Sequence, residues 1–147
     1  MIASGPIVLI GSSLGAAVAL QEAAGDPRVS AIVAAEAFSD LRTVATERAP
    51  FVFTSHLIDR AFRLAEQQGH FTVDDVSPAN AAARIHVPVL LVHGESDVDT
   101  PPDHSRRILA ALGGPKRLIL VHGAHHNQAL NSEVWTEIER WLDDVLK

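Results

Sequence analysis

Ile7-Val8-Leu9-Ile10-Gly11-Ser12-Ser13-Leu14-Gly15-Ala16-Ala17-Val18-Ala19-Leu20 decides the architecture of this chain. Four apolar residues run without a break into a Gly-x-Ser-x-Gly pattern, and a small-residue helix follows directly. A strand that turns sharply into a helix lifts the turn serine clear of the sheet. It also aims the helix N-terminus at that hydroxyl. Glycine suits the crowding because it lacks a Cβ. Gly11 is expected to let the strand end in a sharp bend, and Gly15 to let the helix pass close to neighbouring backbone. Ser13 is thereby a candidate nucleophile.

Three further apolar runs read as strands: Ala31–Ala35, Val87–His93 and Arg117–His122. Each is nearly continuously apolar instead of alternating, the pattern of parallel strands covered on both faces. Helical patterns separate them. Ser13–Ala24 stops at Gly25-Asp26-Pro27, and Ser39-Asp40 caps a helix that ends before Pro50. Phe51–Gln68 sets Leu57, Ile58, Ala61, Leu64 and Ala65 at helical spacing, and Pro102–Leu112 ends at Gly113-Gly114-Pro115. The last helix carries Val134, Ile138, Trp141, Leu142 and Val145 on one stripe. Thr72–Ala83 reads as a loop with a short helix from Pro78 onward.

Alternating strands and helices predict an α/β fold of three layers, a parallel sheet of about four strands with helices on both faces. Residues 1–147 form one domain, with a helical, lid-like insertion around residues 39–83. Phe51, Phe53 and Phe62 are expected to be buried against the sheet, and Trp135 and Trp141 to pack in the core or at an interface.

Composition narrows the function. Hydrophobic residues make up 47% of the 147 and charged residues 20%, an ordinary folded balance. A net charge of −6 without any basic stripe argues against nucleic acid as a partner. No segment reaches the length of a membrane span, and the first residues lack the basic start of a signal peptide. The chain has no cysteine, which fits a cytoplasmic setting. Eight histidines stand against no tyrosine. Of these, His56, His70, His86 and His104 are expected at the surface.

The third strand is followed by His93-Gly94-Glu95-Ser96-Asp97-Val98-Asp99-Thr100-Pro101-Pro102, and the fourth by Gly123-Ala124-His125-His126-Asn127. In open parallel sheets, chemistry collects at the carboxyl ends of the strands. Ser13, an acidic residue and a histidine then meet at one sheet edge in the order Ser…Asp…His. Asp97 and Asp99 compete for the acid, His126 and His125 for the base.

These three motifs together resemble the C-terminal half of an α/β-hydrolase-fold serine hydrolase. The residues that carry the resemblance are Gly11–Gly15, the Pro-Val-Leu-Leu-Val-His-Gly-x-x-Asp-x-x-x-Pro pattern within Ile85–Pro101, and Gly123–Asn127. The resemblance implies Ser13 as nucleophile, Asp97 as acid and His126 as general base, with the backbone N–H of Leu14 as an oxyanion donor. It implies carboxylesterase-like hydrolysis of small esters, thioesters or amides, and the triad itself requires no cofactor.

Two departures from that pattern matter. Four strands that normally precede the nucleophile turn are absent, together with the loop that supplies the second oxyanion donor. Losing one such donor costs about 100- to 1000-fold in rate. The outer edge of strand 7–10 is expected to be unpaired and apolar. Such an edge seeks a partner, either a second copy or a missing N-terminal half, and a homo-oligomer of half-size chains is expected through it. The second departure is the crowd of histidines. His122, His125, His126, His93, Asp97 and Asp99 offer imidazole and carboxylate ligands for a divalent metal such as zinc or manganese. That set gives a second reading, metal-dependent hydrolysis of phosphate esters, including phosphotriesters. A third reading is non-catalytic, a truncated domain that acts as an interaction module.

Overall fold

The computed structural model describes residues 5–147. Four strands, β1 (Ile7–Ser12), β2 (Val29–Ala35), β3 (Val89–Gly94) and β4 (Lys116–Val121), form one sheet in the order β1-β2-β3-β4. Every pairing is parallel. The helices are α1 (Leu14–Ala23), α2 (Leu41–Arg48), α3 (Ser55–Gly69), a 3-10 turn at Val73–Asp75, α4 (Pro78–Ala82), α5 (Asp103–Ala111) and α6 (Ser132–Val145). The expected α/β architecture is present, with strand ends moved by at most two residues.

Alternation along the interior strands builds two cores. Ile32 and Ala34 of β2 and Val89 and Leu91 of β3 face one side. There they pack with Ala16 and Leu20 of α1, Ala82 of α4 and Ile108 of α5. Val33, Ala35, Leu90 and Val92 face the other side, against Val134 and Ile138 of α6. Because the strands advance across the sheet in a single direction, right-handed crossovers place their connecting helices on one face. α6 follows the last strand and covers the face left over.

The register brings the carboxyl ends together. Ser12 lies beside Ala35, Ala35 beside Val92, and Gly94 beside Val121. The loops after all four strands therefore open at one sheet edge. No helix among the described residues is long and apolar enough to cross a membrane.

Three expectations need correction. α3 contains no buried residue, and Phe51 is 99% exposed with Phe53 also open. The segment holding these aromatic residues stands off the sheet, so its helical apolar stripe does not form core. His104 is buried, not on the surface, at 1% exposure. The roles of the two glycines are also redistributed. A Cβ on Gly11 would lie 2.4 Å from the backbone carbonyl of Gly15, whereas a Cβ on Gly15 would meet nothing within 4 Å. The close approach is real, but Gly11 is the residue that permits it.

Gly11→Ala is therefore expected to destabilise the fold by about 1–3 kcal/mol, because the clash is with backbone that cannot rotate away. Gly15→Ala, in a helix and facing open space, is expected to add about 0.5–1 kcal/mol of stability. Urea unfolding of the two variants beside the parent checks both signs.

Candidate active site

Ser13 sits between β1 and α1 with φ 51° and ψ −117°, a conformation that few non-glycine residues adopt. Two bonds hold it there: its N–H donates to Ala35 O at 2.8 Å, and its carbonyl accepts from Ala17 N at 3.1 Å. Strain of this kind costs about 1–3 kcal/mol and survives only where the surroundings fix it. The result is a hydroxyl held at the sheet edge above the start of a helix. Leu14 is the first residue of α1, so its N–H has no acceptor within the helix.

The Ser13 hydroxyl lies 3.1 Å from His126 Nε2, and His126 Nδ1 lies 2.7 Å from Asp97 Oδ2. A carboxylate only accepts, so Nδ1 carries the proton and donates. Nε2 is then the free lone pair that faces Ser13. Asp97 is buried at 3% exposure, and its other oxygen accepts the N–H groups of Asp99 at 3.0 Å and Thr100 at 2.8 Å. Asp99, the rival for the acid, is exposed and serves the site through its backbone alone. His125, the rival base, is also exposed, and its N–H donates to the Gln128 side chain at 3.1 Å.

Local sequence explains how the loops meet. Ser96 N–H donates to Ala124 O at 3.0 Å, tying the loop after β3 to the loop after β4. Gly94 allows this, since a Cβ there would lie 2.3 Å from that same carbonyl oxygen. Arg48, at the end of α2, reaches over to the acid loop. Its Nε donates to Asp99 O at 2.7 Å and a terminal nitrogen donates to Thr100 Oγ1 at 2.5 Å. Beside His126 opens a cleft of about 400 Å³ lined by Glu47, Arg48, Val98 and Asp99.

Of the six residues considered for a metal, His93 Nε2 and His126 Nδ1 lie 3.4 and 2.7 Å from the same Asp97 oxygen. His93 is fully buried, and both of its ring nitrogens are engaged. Nε2 donates to Thr100 O at 2.7 Å, and Nδ1 accepts from the Ser105 hydroxyl at 2.7 Å. Burial pushes the His93 pKa below its ordinary 6.5, so the ring is neutral. His122 turns to solvent beside Glu95 at 2.8 Å. Among the described residues, no group of three or more His, Asp or Glu is placed to hold a metal ion.

Two features escaped the reading of the sequence. Glu36, immediately after β2, is buried at 1% exposure, and its carboxylate accepts from Asn127 N at 2.7 Å and Ala129 N at 3.2 Å. A lone charge ending the apolar run Ala31–Ala35, at the edge where the site loops open, was the available signal. The second is His104 on α5. Its Nδ1 accepts from Ser39 N at 3.0 Å and its Nε2 donates to Glu47 at 2.8 Å, which seats the turn before α2 on α5. A histidine inside a helix gives no sequence sign of which neighbours it will bridge.

A parallel sheet with a serine at its strand-to-helix elbow, an acid after the next-to-last strand and a histidine after the last is the α/β-hydrolase fold of the serine hydrolases. The chain matches the prolyl oligopeptidase family over residues 1–147 and belongs to it. An uncharacterised protein of Mycobacterium tuberculosis strain H37Rv is 32% identical over 142 residues, which cover 95% of this chain and 45% of the relative. An acetyl xylan esterase from Paenibacillus sp. R4 superposes with a TM-score of 0.75 at 24% identity, over 95% of this chain and 45% of that one. The acylaminoacyl peptidase of Pyrococcus horikoshii superposes at 0.74 and 15% identity, over 99% of this chain and 25% of that one. The chain thus spans less than half the length of these relatives.

The neutral His93 carries a consequence for stability. Its folded-state pKa lies below the unfolded value, so the unfolded chain binds more protons below about pH 6.5. Stability is expected to be fully present above that pH and to fall as pH drops toward 5. His93→Gln is expected to be less stable at pH 7 but flatter between pH 7 and 5, as read by urea midpoints across that range.

Proposed function

We propose that the chain hydrolyses small esters by acyl transfer through Ser13, with His126 as general base and Asp97 as the acid that orients it. The single observation that carries this reading is the unbroken relay from Ser13 Oγ to His126 Nε2 at 3.1 Å and from His126 Nδ1 to Asp97 at 2.7 Å. Ser13 Oγ bonds to the ester carbonyl carbon while its proton passes to His126 Nε2. The tetrahedral intermediate then collapses. The bond to the leaving alkoxide breaks, and that oxygen takes the proton from Nε2. A water molecule next gives its proton to Nε2, attacks the acyl-enzyme and releases the acid with Ser13 restored. The Leu14 N–H supports the developing oxyanion. Asp97 keeps the Nδ1 tautomer and balances the imidazolium that forms in each half-reaction.

The cleft beside His126 is shallow and polar, which favours a small, hydrated acyl or alcohol group over a long hydrocarbon chain. Its wall at Glu47 and Arg48 comes from the segment around residues 39–83, read as a lid-like insertion. No metal takes part in these steps. A second oxyanion donor, and the partner for β1, are assigned to a second copy of the chain. Among the described residues β1 is hydrogen-bonded to β2 alone, and Ile7 and Ile10 of β1 and Leu14 and Val18 of α1 are exposed. Light scattering after size exclusion is expected to show a dimer or larger; a monodisperse monomer would remove this part of the proposal.

Ser13→Ala is expected to abolish both fluorophosphonate labelling and turnover of p-nitrophenyl acetate. Asp97→Asn is expected to lower kcat by about 10⁴-fold, because the wrong imidazole tautomer then faces Ser13. EDTA is expected to leave the parent rate unchanged. Activity that survives Ser13→Ala but disappears with chelator would return the metal reading. No turnover and no labelling in the parent would leave a non-catalytic domain.

A further inference from the structure

Resting on the acyl-transfer reading above, we propose that Glu36 is a positioning residue that fixes His126 through the two backbone amides that follow it, at Asn127 and Ala129. Its carboxylate is buried at 1% exposure, with one oxygen 2.7 Å from Asn127 N and the other 3.2 Å from Ala129 N. Ninety-one residues separate Glu36 from Asn127, so the loop after β2 grips the loop after β4 across β3.

The His126 turn needs such a grip. Gln128 N–H donates to His125 O at 3.0 Å, which closes a four-residue turn with His126 and Asn127 at its centre. Asn127 has φ 62°, the left-handed geometry expected at the third position of such a turn. Asn127 N inside that turn and Ala129 N just after it both need an acceptor, and leaving the buried Ala129 amide unpaired is costly. Glu36 supplies both acceptors. An ionised carboxylate makes these bonds stronger than a neutral side chain would.

The backbone at Glu36 shows that the side chain is required there. Its φ is 54°, a conformation that glycine adopts freely and a glutamate resists. The Glu36 N–H donates to Val92 O at 2.8 Å, which pins that strained backbone to the end of β3. A purely conformational role at this position would be better served by glycine. The chain instead places a charged, branched-off carboxylate in a buried, strained position whose bonds run to the histidine turn. Glu36 does not line the cleft, and its carboxylate bonds run to Asn127 N and Ala129 N, so it acts through His126 and is not itself catalytic.

The test uses Glu36→Gln and Glu36→Gly beside the parent and Ser13→Ala. Glu36→Gln keeps the shape and one acceptor oxygen, and Glu36→Gly relieves the backbone while removing both acceptors. Both variants are expected to lose about 10- to 100-fold in kcat on p-nitrophenyl acetate with KM within about twofold, the mark of a displaced base instead of a lost binding contact. Glu36→Gly is expected to fall further than Glu36→Gln even if it melts no earlier than the parent. Independently of turnover, proton NMR of the parent is expected to show a far-downfield Nδ1 proton on His126, held by Asp97. That resonance is expected to broaden or vanish in both variants. Unchanged kcat and a sharp, unshifted resonance in Glu36→Gly would overturn the proposal. If the parent has no Ser13-dependent turnover, the ester reading falls, and the resonance alone then decides whether Glu36 sets His126.

Discussion

Asp97 is the group around which the site is arranged, because a buried carboxylate must have every lone pair answered. At 3% exposure it accepts the N–H groups of Asp99 and Thr100 on one oxygen and His126 Nδ1 on the other. Those demands fix the path of the loop after β3, since residues 97 to 100 must fold back over their own carboxylate. They also fix the loop after β4, since His126 must arrive with Nδ1 toward Asp97. His93 supports the arrangement from beneath by donating to Thr100 O and accepting from Ser105 on α5. Neutral His93 is suited to that place. It satisfies two polar groups without adding a second charge to the interior.

Most of the fold was legible because parallel strands buried on both faces leave a coarse and durable signature. Val-Leu-Leu-Val in β3 has no polar alternation, and the structure buries all six residues of that strand. That Ser13, Asp97 and His126 come together was legible for a different reason. Each follows directly on such a run, and the topology of consecutive parallel strands brings those ends to one edge. What was not legible depends on contacts between segments distant in sequence. Glu36 and Asn127 are ninety-one residues apart, and His104 and Ser39 sixty-five. No local pattern states that such pairs will meet. The aromatic segment before α3 misled for a related reason. Helical spacing of apolar residues shows amphipathicity, but it does not say which surface will cover the apolar face.

The two ends of the hydrogen-bonded relay from Ser13 to Asp97 rest on scaffold of different quality. Asp97 is carried by β3, which is hydrogen-bonded to strands on both sides. Ser13 is carried by β1, which among the described residues is bonded to β2 alone. Segments with fewer surrounding bonds open more readily than the strands at the centre of a sheet. The elbow also stores strain at φ 51°, and that strain is balanced chiefly by the Ser13 N–H bond to Ala35 O. When the end of β1 parts from β2, this bond is lost and the strained φ has no support. The serine then relaxes out of line with His126. A strand at the outer edge of β1 would keep Ser13 in line with His126, because holding the strand holds the hydroxyl. Asp97, carried by β3, is separated from that edge by β2.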